Sequence, residues 1–375
     1  MQDDRETVIL VGVDTGEERE FDRSMMELKA LAEACELRVA GILTQRMPHV
    51  NPVSYIGSGK VQELRDYAQT EAVDKIVFDD SLSPSQIRNL TNALERPILD
   101  RTNLILDIFA IRARTNEAKM QVEMARLQYM LPRLVGAHAS LGRQGGTGGS
   151  MSNKGSGEKQ LELDRRRIEQ RLARLRKELA VLEKSRQTQR KRRNTSDIPQ
   201  VALVGYTNAG KSTILNRMME GSGRPGNKQV FEKDMLFATL ETSVRRVDVG
   251  DGRPFLLSDT VGFIHKLPHG LIKAFRSTLD EVRYADLLVQ VVDISDEDYR
   301  MQMEVTADTL KELEIGDIPQ LIVYNKADKQ NMESLPRVAQ NGNSIHMAAG
   351  KGIGMDVLRC MIQDRLYGPE VEDVF

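Results

Sequence analysis

A glycine-rich loop with a lysine and several hydroxyl side chains lies near the middle of the chain. It fits the pattern G-x-x-x-x-G-K-[ST], in which successive backbone N–H groups point at one phosphate group. The loop and the residue after it are Gly205, Tyr206, Thr207, Asn208, Ala209, Gly210, Lys211, Ser212 and Thr213. Apolar residues 201–204 predict a buried strand before the loop, and residues 213–219 predict a helix after it. This order favours a nucleotide site over a Gly-rich turn with a surface lysine.

Two side chains of this loop have distinct predicted roles. Lys211 reaches the β- and γ-phosphates of a nucleotide, and the Ser212 hydroxyl binds Mg²⁺. A D-x-x-G sequence follows about fifty residues later. Its residues are Asp259, Thr260, Val261 and Gly262. An aspartate at a strand end can hold Mg²⁺ through water, and the glycine lets a backbone N–H meet the γ-phosphate.

The base is predicted from two later segments. They are Asn325, Lys326, Ala327 and Asp328, which read N-K-x-D, and Met347, Ala348 and Ala349. A carboxylate at Asp328 accepts from the guanine N1–H and 2-amino groups, and adenine has no such donor pair. Asn325 binds base and loop, the stem of Lys326 covers the ring, and backbone N–H groups of the second segment meet the guanine O6. The motifs predict GTP, although a second base pocket for ATP would not show as a motif.

A switch segment is predicted between the first two motifs. Its residues are Phe237, Ala238, Thr239, Leu240 and Glu241. A threonine hydroxyl here can complete the Mg²⁺ shell only while the γ-phosphate is present. Thr239 and Thr242 both fit this role.

The residue that completes the catalytic site is not evident from the sequence. Phe263 follows Gly262, where Ras-like GTPases place a water-orienting glutamine. Because a phenyl ring cannot polarise water, we expect slow intrinsic hydrolysis until a partner, a cation or another backbone group completes the site. Asn208 is the candidate ligand for K⁺ beside the phosphates.

These motifs must be positioned by more than one domain, since 375 residues exceed one ordinary core. Alternating apolar strands and amphipathic helices predict a small parallel α/β subdomain at the N-terminus. Two long helices, over 103–134 and 158–193, predict an antiparallel hairpin. The predicted boundaries are 1–102 for the α/β subdomain, 103–193 for the hairpin with a Gly-rich tip at 142–157, 199–368 for a P-loop, Ras-like GTPase domain, and 369–375 for an acidic tail.

Two segments of the N-terminal subdomain carry residues capable of chemistry. Residues 55–60 form either a Gly-rich strand-to-helix turn or a turn that contacts an anion or RNA. Asp79 and Asp80 follow a predicted strand. Since no histidine or third acid lies beside them, a turn with a helix cap fits better than a metal site.

The hairpin is strongly basic. From Lys119 to Arg193 there are 19 Lys or Arg and 7 Asp or Glu, although the whole chain carries a net charge of −2. This excess predicts contacts to RNA phosphates with little base specificity. The expected RNA contacts are Arg143, Lys154, Lys159, Arg165, Arg166, Arg167 and Arg174. The alternative is a solvated helix face with local ion pairs.

Composition excludes several other classes. No segment approaches the roughly 20 apolar residues of a membrane span, and the first residues lack the pattern of a signal peptide. Cys35 and Cys360 are expected to be small buried residues and not a disulfide or metal pair. We expect a cytoplasmic monomer, with peripheral membrane association left open.

Taken together, these segments resemble the HflX family of ribosome-associated, translation-factor-related GTPases over nearly the full length. The resemblance rests on residues 55–60, 78–80, 100–102, 105–109, 131–134, 143–146, 160–162, 164–166, 205–212, 237–240 and 259–263. It implies an N-terminal HflX domain followed by a GTPase domain. It also implies binding to the 50S subunit of the 70S ribosome and its rRNA, splitting or rescue of stalled ribosomes, and ribosome-stimulated hydrolysis of GTP to GDP and phosphate. By the same resemblance, Thr239 is the Mg²⁺-binding switch threonine.

The chain departs from the family pattern in places. In the tip, Asn153, Lys154 and Ser156 replace the usual Arg and Pro, and residues 221–228 look like an insertion before the switch. Two alternative functions therefore stay open. One is a GTPase that acts on another RNA, such as an assembly intermediate. The other is a GTP-gated RNA-binding module with little hydrolysis of its own.

Overall fold

The structure is a computed structural model of the chain. It describes the backbone of residues 5–16, 21–143, 151–194, 198–220, 236–237, 239–240, 242–248, 250–268, 270–271, 281–315, 318–330 and 335–369, and their side chains except within 135–161 and 186–194. The chain divides into two compact units, Met1–Val181 and Leu182–Phe375.

The N-terminal unit begins with alternating strands and helices. They are β1 (Thr7–Asp14), α1 (Phe21–Ala34), β2 (Arg38–Arg46), α2 (Ser58–Thr70), β3 (Lys75–Phe78), α3 (Pro84–Leu94), β4 (Ile98–Asp100) and α4 (Arg101–Arg112). The strands form a parallel sheet in the order β2–β1–β3–β4. Because β1 and β3 are the inner strands, side chains such as Ile9, Val11 and Phe78 are fully buried. The predicted parallel α/β fold is confirmed.

The prediction of one helix over 103–134 is wrong. Helix α4 ends at Arg112, and a second helix, α5, runs over Asn116–Arg143. Ala113 is extended, and the Thr115 hydroxyl accepts a hydrogen bond from the Ala118 N–H, which caps the start of α5. The apolar pattern continues across this break and therefore conceals it.

The Gly-rich tip is shorter than predicted. Helix α5 includes Arg143, and the next helix, α6, already begins at Met151 and ends at Asn194. Residues 151–157 are therefore helical. The helix tolerates their glycines, since each glycine inside a helix costs only about 1 kcal/mol. The rest of the predicted tip, residues 144–150, lies outside the described residues.

Helices α5 and α6 are joined by an ion pair. The Arg171 guanidinium donates two hydrogen bonds to the two carboxylate oxygens of Glu123, at 2.6 and 2.7 Å. These bonds lower the pKa of Glu123. Glu123 lies as far before the end of α5 as Arg171 lies after the start of α6, as expected for an antiparallel hairpin. The predicted hairpin end at residue 193 stays a prediction, since the boundary between the two units falls inside α6.

The C-terminal unit contains a second, larger sheet. Its described elements are β5 (Gln200–Val204), α7 (Lys211–Glu220), β6 (Ser243–Val247), β7 (Phe255–Asp259), β8 (Leu287–Asp293), α8 (Tyr299–Glu312), β9 (Gln320–Asn325), β10 (Arg337–Val338), β11 (Ser344–His346) and α9 (Met355–Tyr367). The strand order is β10–β11–β9–β8–β5–β7–β6. Among the described strands of this sheet, only β6 and β10 run antiparallel to their neighbours.

The parallel strands of the C-terminal unit carry the predicted motifs at their carboxyl ends. Apolar residues of β5, β7, β8 and β9 form one buried cluster with α7 and α9. Loops at the carboxyl ends of parallel strands are the usual place of ligands in such sheets. None of the helices in the described ranges combines the length and hydropathy of a membrane-spanning segment. Apart from Pro369, the predicted acidic tail lies outside the described residues.

Candidate nucleotide-binding site

The Gly-rich loop connects β5 to α7, as the sequence predicts. Its two glycines occupy positions that no other residue fits. Gly205 has a φ of 139°, and a Cβ atom there would lie 2.2 Å from the Val291 carbonyl oxygen. Gly210 has a φ of 99°, and a Cβ atom there would lie 2.2 Å from the Asn325 side-chain nitrogen. The loop is therefore packed directly against β8 and the N-K-x-D segment.

The Lys211 side chain is buried beneath this loop. Its ammonium donates hydrogen bonds to the carbonyl oxygens of Gly205, at 3.1 Å, and Tyr206, at 2.7 Å. Burial lowers the pKa of Lys211 to about 8, and the nearby Asp259 carboxylate opposes this only partly. Among the described residues, this buried cation contacts two neutral carbonyl groups and lies near one carboxylate, so it is suited to receive phosphate oxygens.

Three oxygen-bearing side chains meet beside the lysine. The Ser212 hydroxyl lies 2.6 Å from Asp259 Oδ2 and 2.8 Å from the Thr239 hydroxyl, which itself lies 2.9 Å from Asp259 Oδ2. The other carboxylate oxygen, Asp259 Oδ1, is buried without a hydrogen-bond partner. Burial raises the pKa of Asp259, although the hydroxyl groups and Lys211 oppose the shift.

This oxygen cluster fits Mg²⁺. Hard divalent cations prefer hydroxyl, carboxylate and water oxygens, and the orphaned Asp259 Oδ1 leaves room for one more contact. The described residues contain no group of three His, Cys, Asp or Glu side chains that could hold a metal by themselves. A site with one carboxylate and two hydroxyls agrees with a metal that is shared with nucleotide phosphates.

The switch segment reaches this cluster through Thr239. Of the two candidate threonines, it is Thr239 whose hydroxyl is hydrogen bonded to Ser212 and Asp259. The flanking Phe237 and Leu240 are buried, which anchors the segment. Ala238, Glu241 and the insertion at 221–228 lie outside the described residues.

The D-x-x-G segment packs against the Gly-rich loop. A Cβ atom on Gly262 would lie 2.7 Å from Thr207 Cα, so only glycine fits. The Thr260 hydroxyl donates to the Leu203 carbonyl at 2.6 Å. The Thr207 N–H donates to the Phe263 carbonyl at 2.8 Å, and the Phe263 N–H donates to the Gly205 carbonyl at 3.1 Å.

Phe263 and Thr207 are buried side chains of these segments. Phe263 is buried, 1% exposed, and turned into the protein, so its ring cannot orient water. Thr207 Oγ1 is buried without a hydrogen-bond partner, close to the packed Gly262. Val261, the remaining residue of the motif, is also buried.

The predicted base-binding residues come together around the same loop. Asn325 donates to the Ala209 carbonyl and accepts from the Ala349 N–H, both at 2.9 Å. Lys326 donates to the Asn208 carbonyl at 2.8 Å. The Ala327 N–H donates to the Met347 carbonyl at 3.1 Å, which joins the two base-binding segments. Ala348 is buried beside them.

Several residues that contact the predicted site residues are not part of any sequence motif. Asp293, the last residue of β8, forms an ion pair with Lys326 at 2.7 Å. Lys351 forms an ion pair with Asp328 at 3.0 Å, and the Tyr206 hydroxyl accepts from the His265 N–H at 2.8 Å. An acid directly after an apolar strand was a usable signal for Asp293, since Asp259 has the same placement.

Three basic residues of α6 are paired locally. Arg165 contacts Glu169 and Glu162, Arg166 contacts Glu162, and Arg167 contacts Asp164, all within one helical turn. Arg174 is exposed. Arg143, Lys154 and Lys159 lie in helical backbone, but their side chains are outside the described ones. Exposed pairs of this kind contribute about 0–1 kcal/mol, so phosphate groups can compete for these cations.

Known proteins match the chain along its length. The family models described as GTP-binding GTPase N-terminal, GTP-binding GTPase Middle Region and 50S ribosome-binding GTPase match residues 22–110, 112–193 and 200–326. Their order reproduces the order of the α/β sheet, the hairpin and the Gly-rich loop.

Individual relatives agree with these models. GTPase HflX of Caldanaerobacter subterraneus is 43% identical over 97% of this chain and 81% of its own, and GTPase HflX of Escherichia coli is 38% identical over 97% and 83%. The crystal structure of SsGBP in complex with GDP covers 95% of this chain and 97% of its own, with a TM-score of 0.51 and 25% identity. The chain belongs to the HflX family of GTPases and is a GTP hydrolase.

Proposed function

We propose that this protein binds the large ribosomal subunit in its GTP form and uses hydrolysis of GTP to split or rescue stalled ribosomes. The observation that carries the proposal is the contact of Thr239 with Ser212 and Asp259. It links a segment that precedes β6 to the place where the terminal phosphate and its metal are expected. Loss of the γ-phosphate would release that link, which is how a GTPase changes its partner affinity.

The proposed nucleotide contacts follow the geometry. Lys211 and the backbone N–H groups of 208–213 bind the phosphates, while Asn325, Lys326 and Asp328 bind guanine. Ser212 and Thr239 are the proposed direct ligands of Mg²⁺, which neutralises phosphate charge when bound. The N–H of Gly262 is the proposed contact to the γ-phosphate. The N–H groups of Met347, Ala348 and Ala349 already donate to the Tyr324 carbonyl, the Ile353 carbonyl and Asn325 Oδ1, so a contact to the guanine O6 would require one of these bonds to open.

Hydrolysis needs a group from elsewhere, because the Phe263 ring is buried and cannot orient water. We assign that group to the ribosome, with K⁺ at Asn208 as a second contributor. Asn208 has a left-handed backbone, φ 61°, and is exposed. The K⁺ proposal is tested by hydrolysis rates in Na⁺ and K⁺, and equal rates would exclude it.

The hairpin is the proposed ribosomal arm. Arg143, Lys154, Lys159, Arg165, Arg166, Arg167 and Arg174 would contact rRNA phosphates, in a protein that acts as a monomer in the cytoplasm. The description of the matching family model as a 50S ribosome-binding GTPase supports this partner. The local pairs of Arg165, Arg166 and Arg167 are exposed and weak, so phosphate groups can compete for these cations.

Co-sedimentation tests the proposal. The protein is mixed with 70S ribosomes or separated 50S subunits, in GDP or in a non-hydrolysable GTP analogue. We expect binding to 50S with the analogue only, together with loss of the 70S peak. Binding that does not depend on nucleotide would contradict the switch at Thr239. Equal stimulation of hydrolysis by unrelated RNA would instead favour a GTPase of free RNA.

A further inference from the structure

Asp293 ends strand β8 and points at the base-binding loop. Its carboxylate is largely buried, with 16% of the side chain exposed. One oxygen, Oδ2, lies 2.7 Å from the Lys326 ammonium. The other, Oδ1, accepts hydrogen bonds from the Ser295 hydroxyl at 2.5 Å and the Ser295 N–H at 3.1 Å. The carboxylate is thus fixed from its own loop and directed at one cation.

That cation has a second partner in the phosphate loop. Lys326 also donates to the Asn208 carbonyl oxygen at 2.8 Å. Both residues have left-handed backbones, with φ of 58° at Lys326 and 61° at Asn208. Asparagine enters this region readily, but lysine does so rarely and needs a constraint. The Asp293–Lys326–Asn208 chain of contacts supplies such a constraint to two loops at once.

We propose that Asp293 is a positioning residue for guanine nucleotides. By holding the Lys326 ammonium against the phosphate loop, it keeps the aliphatic stem of Lys326 over the place of the guanine ring and keeps the Asn208 carbonyl in its turn. Asp293 itself touches neither the base nor the phosphates. The inference rests on the proposed assignment of Asn325–Asp328 as the guanine loop.

The expected effect is a loss of binding common to GDP and GTP. Removing the charge gives Lys326 one partner fewer, so Asp293→Asn should raise the dissociation constants of GDP and of a GTP analogue by about tenfold each. Because the contact is the same before and during hydrolysis, KM should rise while kcat stays unchanged. Selectivity for guanine should stay the same, since Asp328 determines it.

The experiment measures binding and release of a fluorescent GDP by the full chain. Four proteins are compared: wild type, Asp293→Asn, Lys326→Met and the double variant. We expect faster release from Asp293→Asn, and no further loss when it is added to Lys326→Met, since Asp293 acts through Lys326. Additive losses in the double variant would overturn the proposal, as would unchanged release from Asp293→Asn.

Two controls separate positioning from general damage. Glu297→Gln removes an exposed negative charge from the same loop and should leave release unchanged. Asp293→Glu keeps the charge and should restore affinity to within about threefold of wild type. Failure of the glutamate to restore any affinity while the protein melts at the wild-type temperature would count against a role through Lys326.

A further variant, Asp328→Asn, distinguishes failure of this inference from failure of the proposed guanine site. If Asp328→Asn loses GDP binding while Asp293→Asn keeps it, the guanine site stands and the positioning role fails. If Asp328→Asn binds GDP as wild type does, the assignment of the loop fails, and the positioning role fails with it.

Discussion

Among the buried aspartates at the carboxyl ends of parallel strands, one from each unit can be compared, and their surroundings differ. Asp79 follows β3 in the N-terminal sheet, and Asp259 ends β7 in the C-terminal sheet. Both side chains are fully buried, and each faces a buried cation, Arg101 or Lys211. The sequence context of the two is similar, since each follows an apolar strand.

The carboxylate of Asp79 is satisfied by its own unit. Arg101 donates to Asp79 Oδ1 at 2.6 Å, and the Ser24 hydroxyl donates to Oδ2 at 2.7 Å. Arg101 also contacts Glu27 at 2.6 Å and the Ser24 carbonyl at 2.8 Å. Such a closed network fixes α1, β3 and α4 relative to one another.

The carboxylate of Asp259 keeps one oxygen without a partner, and Lys211 is held mainly by neutral carbonyl groups. An unsatisfied buried charge costs stability unless a ligand completes it. The comparison teaches that incomplete pairing, and not burial of charge, marks the binding site.

The largest expected effect comes from breaking the satisfied network. Asp79→Asn leaves Arg101 short of a charged partner and should lower the free energy of unfolding of the N-terminal unit by about 3–5 kcal/mol. Urea unfolding followed by circular dichroism measures this. The exposed Asp66→Asn should change it by less than about 0.5 kcal/mol. Equal stability of the two variants would mean that the network is not what holds this unit.

The same aspartate-to-asparagine substitution at Asp259 should affect GTP hydrolysis more than stability. Asp259→Asn removes the carboxylate expected to support Mg²⁺ and should reduce ribosome-stimulated hydrolysis about 10²- to 10³-fold. Stability should stay within about 1 kcal/mol, because burial already raises the pKa of this carboxyl and disfavours its charged form. Phosphate release is the measurement, with Asp308→Asn on the exposed face of α8 as control. A large loss of stability without loss of hydrolysis would mean that Asp259 supports the fold, as Asp79 does, and not the binding site.

A third test concerns the base. Asp328→Asn replaces an acceptor pair with one acceptor and one donor, which fits xanthine better than guanine. We expect the affinity for GDP to fall by about 10- to 100-fold and that for xanthosine diphosphate to rise. Competition binding with the two nucleotides measures this change of specificity. Parallel losses for both would indicate damage to the loop and not a change of specificity.

The smallest expected effect is a pH dependence from Lys211. Its pKa is lowered to about 8 in the folded protein, so between this value and 10.5 the unfolded state holds more protons and stability rises with pH. Bound phosphate favours the charged ammonium, so affinity for GDP should fall about threefold between pH 7.5 and 8.5. Calorimetry in buffers of different ionisation enthalpy should show proton uptake on binding. Binding without proton uptake would contradict the lowered pKa.

The nucleotide-site motifs were predictable because each needs a fixed residue type at a fixed spacing. Gly205 and Gly210 have positive φ, Lys211 and Ser212 start α7, and Asn325 joins two loops, as the motifs require. Asp293 was not predictable in the same way. An acid at the end of an apolar strand marks Asp293 as a candidate, but only the fold shows that Lys326 lies opposite it.

Local contacts explain the other differences between the predicted and the observed structure. The break between α4 and α5 depends on the Thr115 cap, which a continuous apolar pattern hides. Residues 151–157 have a loop-like composition but lie in a helix. The arginines of α6 outnumber the acids over the whole hairpin, yet Arg165, Arg166 and Arg167 find acids three or four positions away, which a net charge does not show.

The Arg171–Glu123 pair has a mechanical consequence. The hairpin extends about 20 residues beyond it on each helix, which is a length of about 30 Å. A tilt of about 10° at this pair would therefore move the far ends of α5 and α6 by about 5 Å. A small change of angle near this pair would therefore appear as a larger displacement at the end of the hairpin.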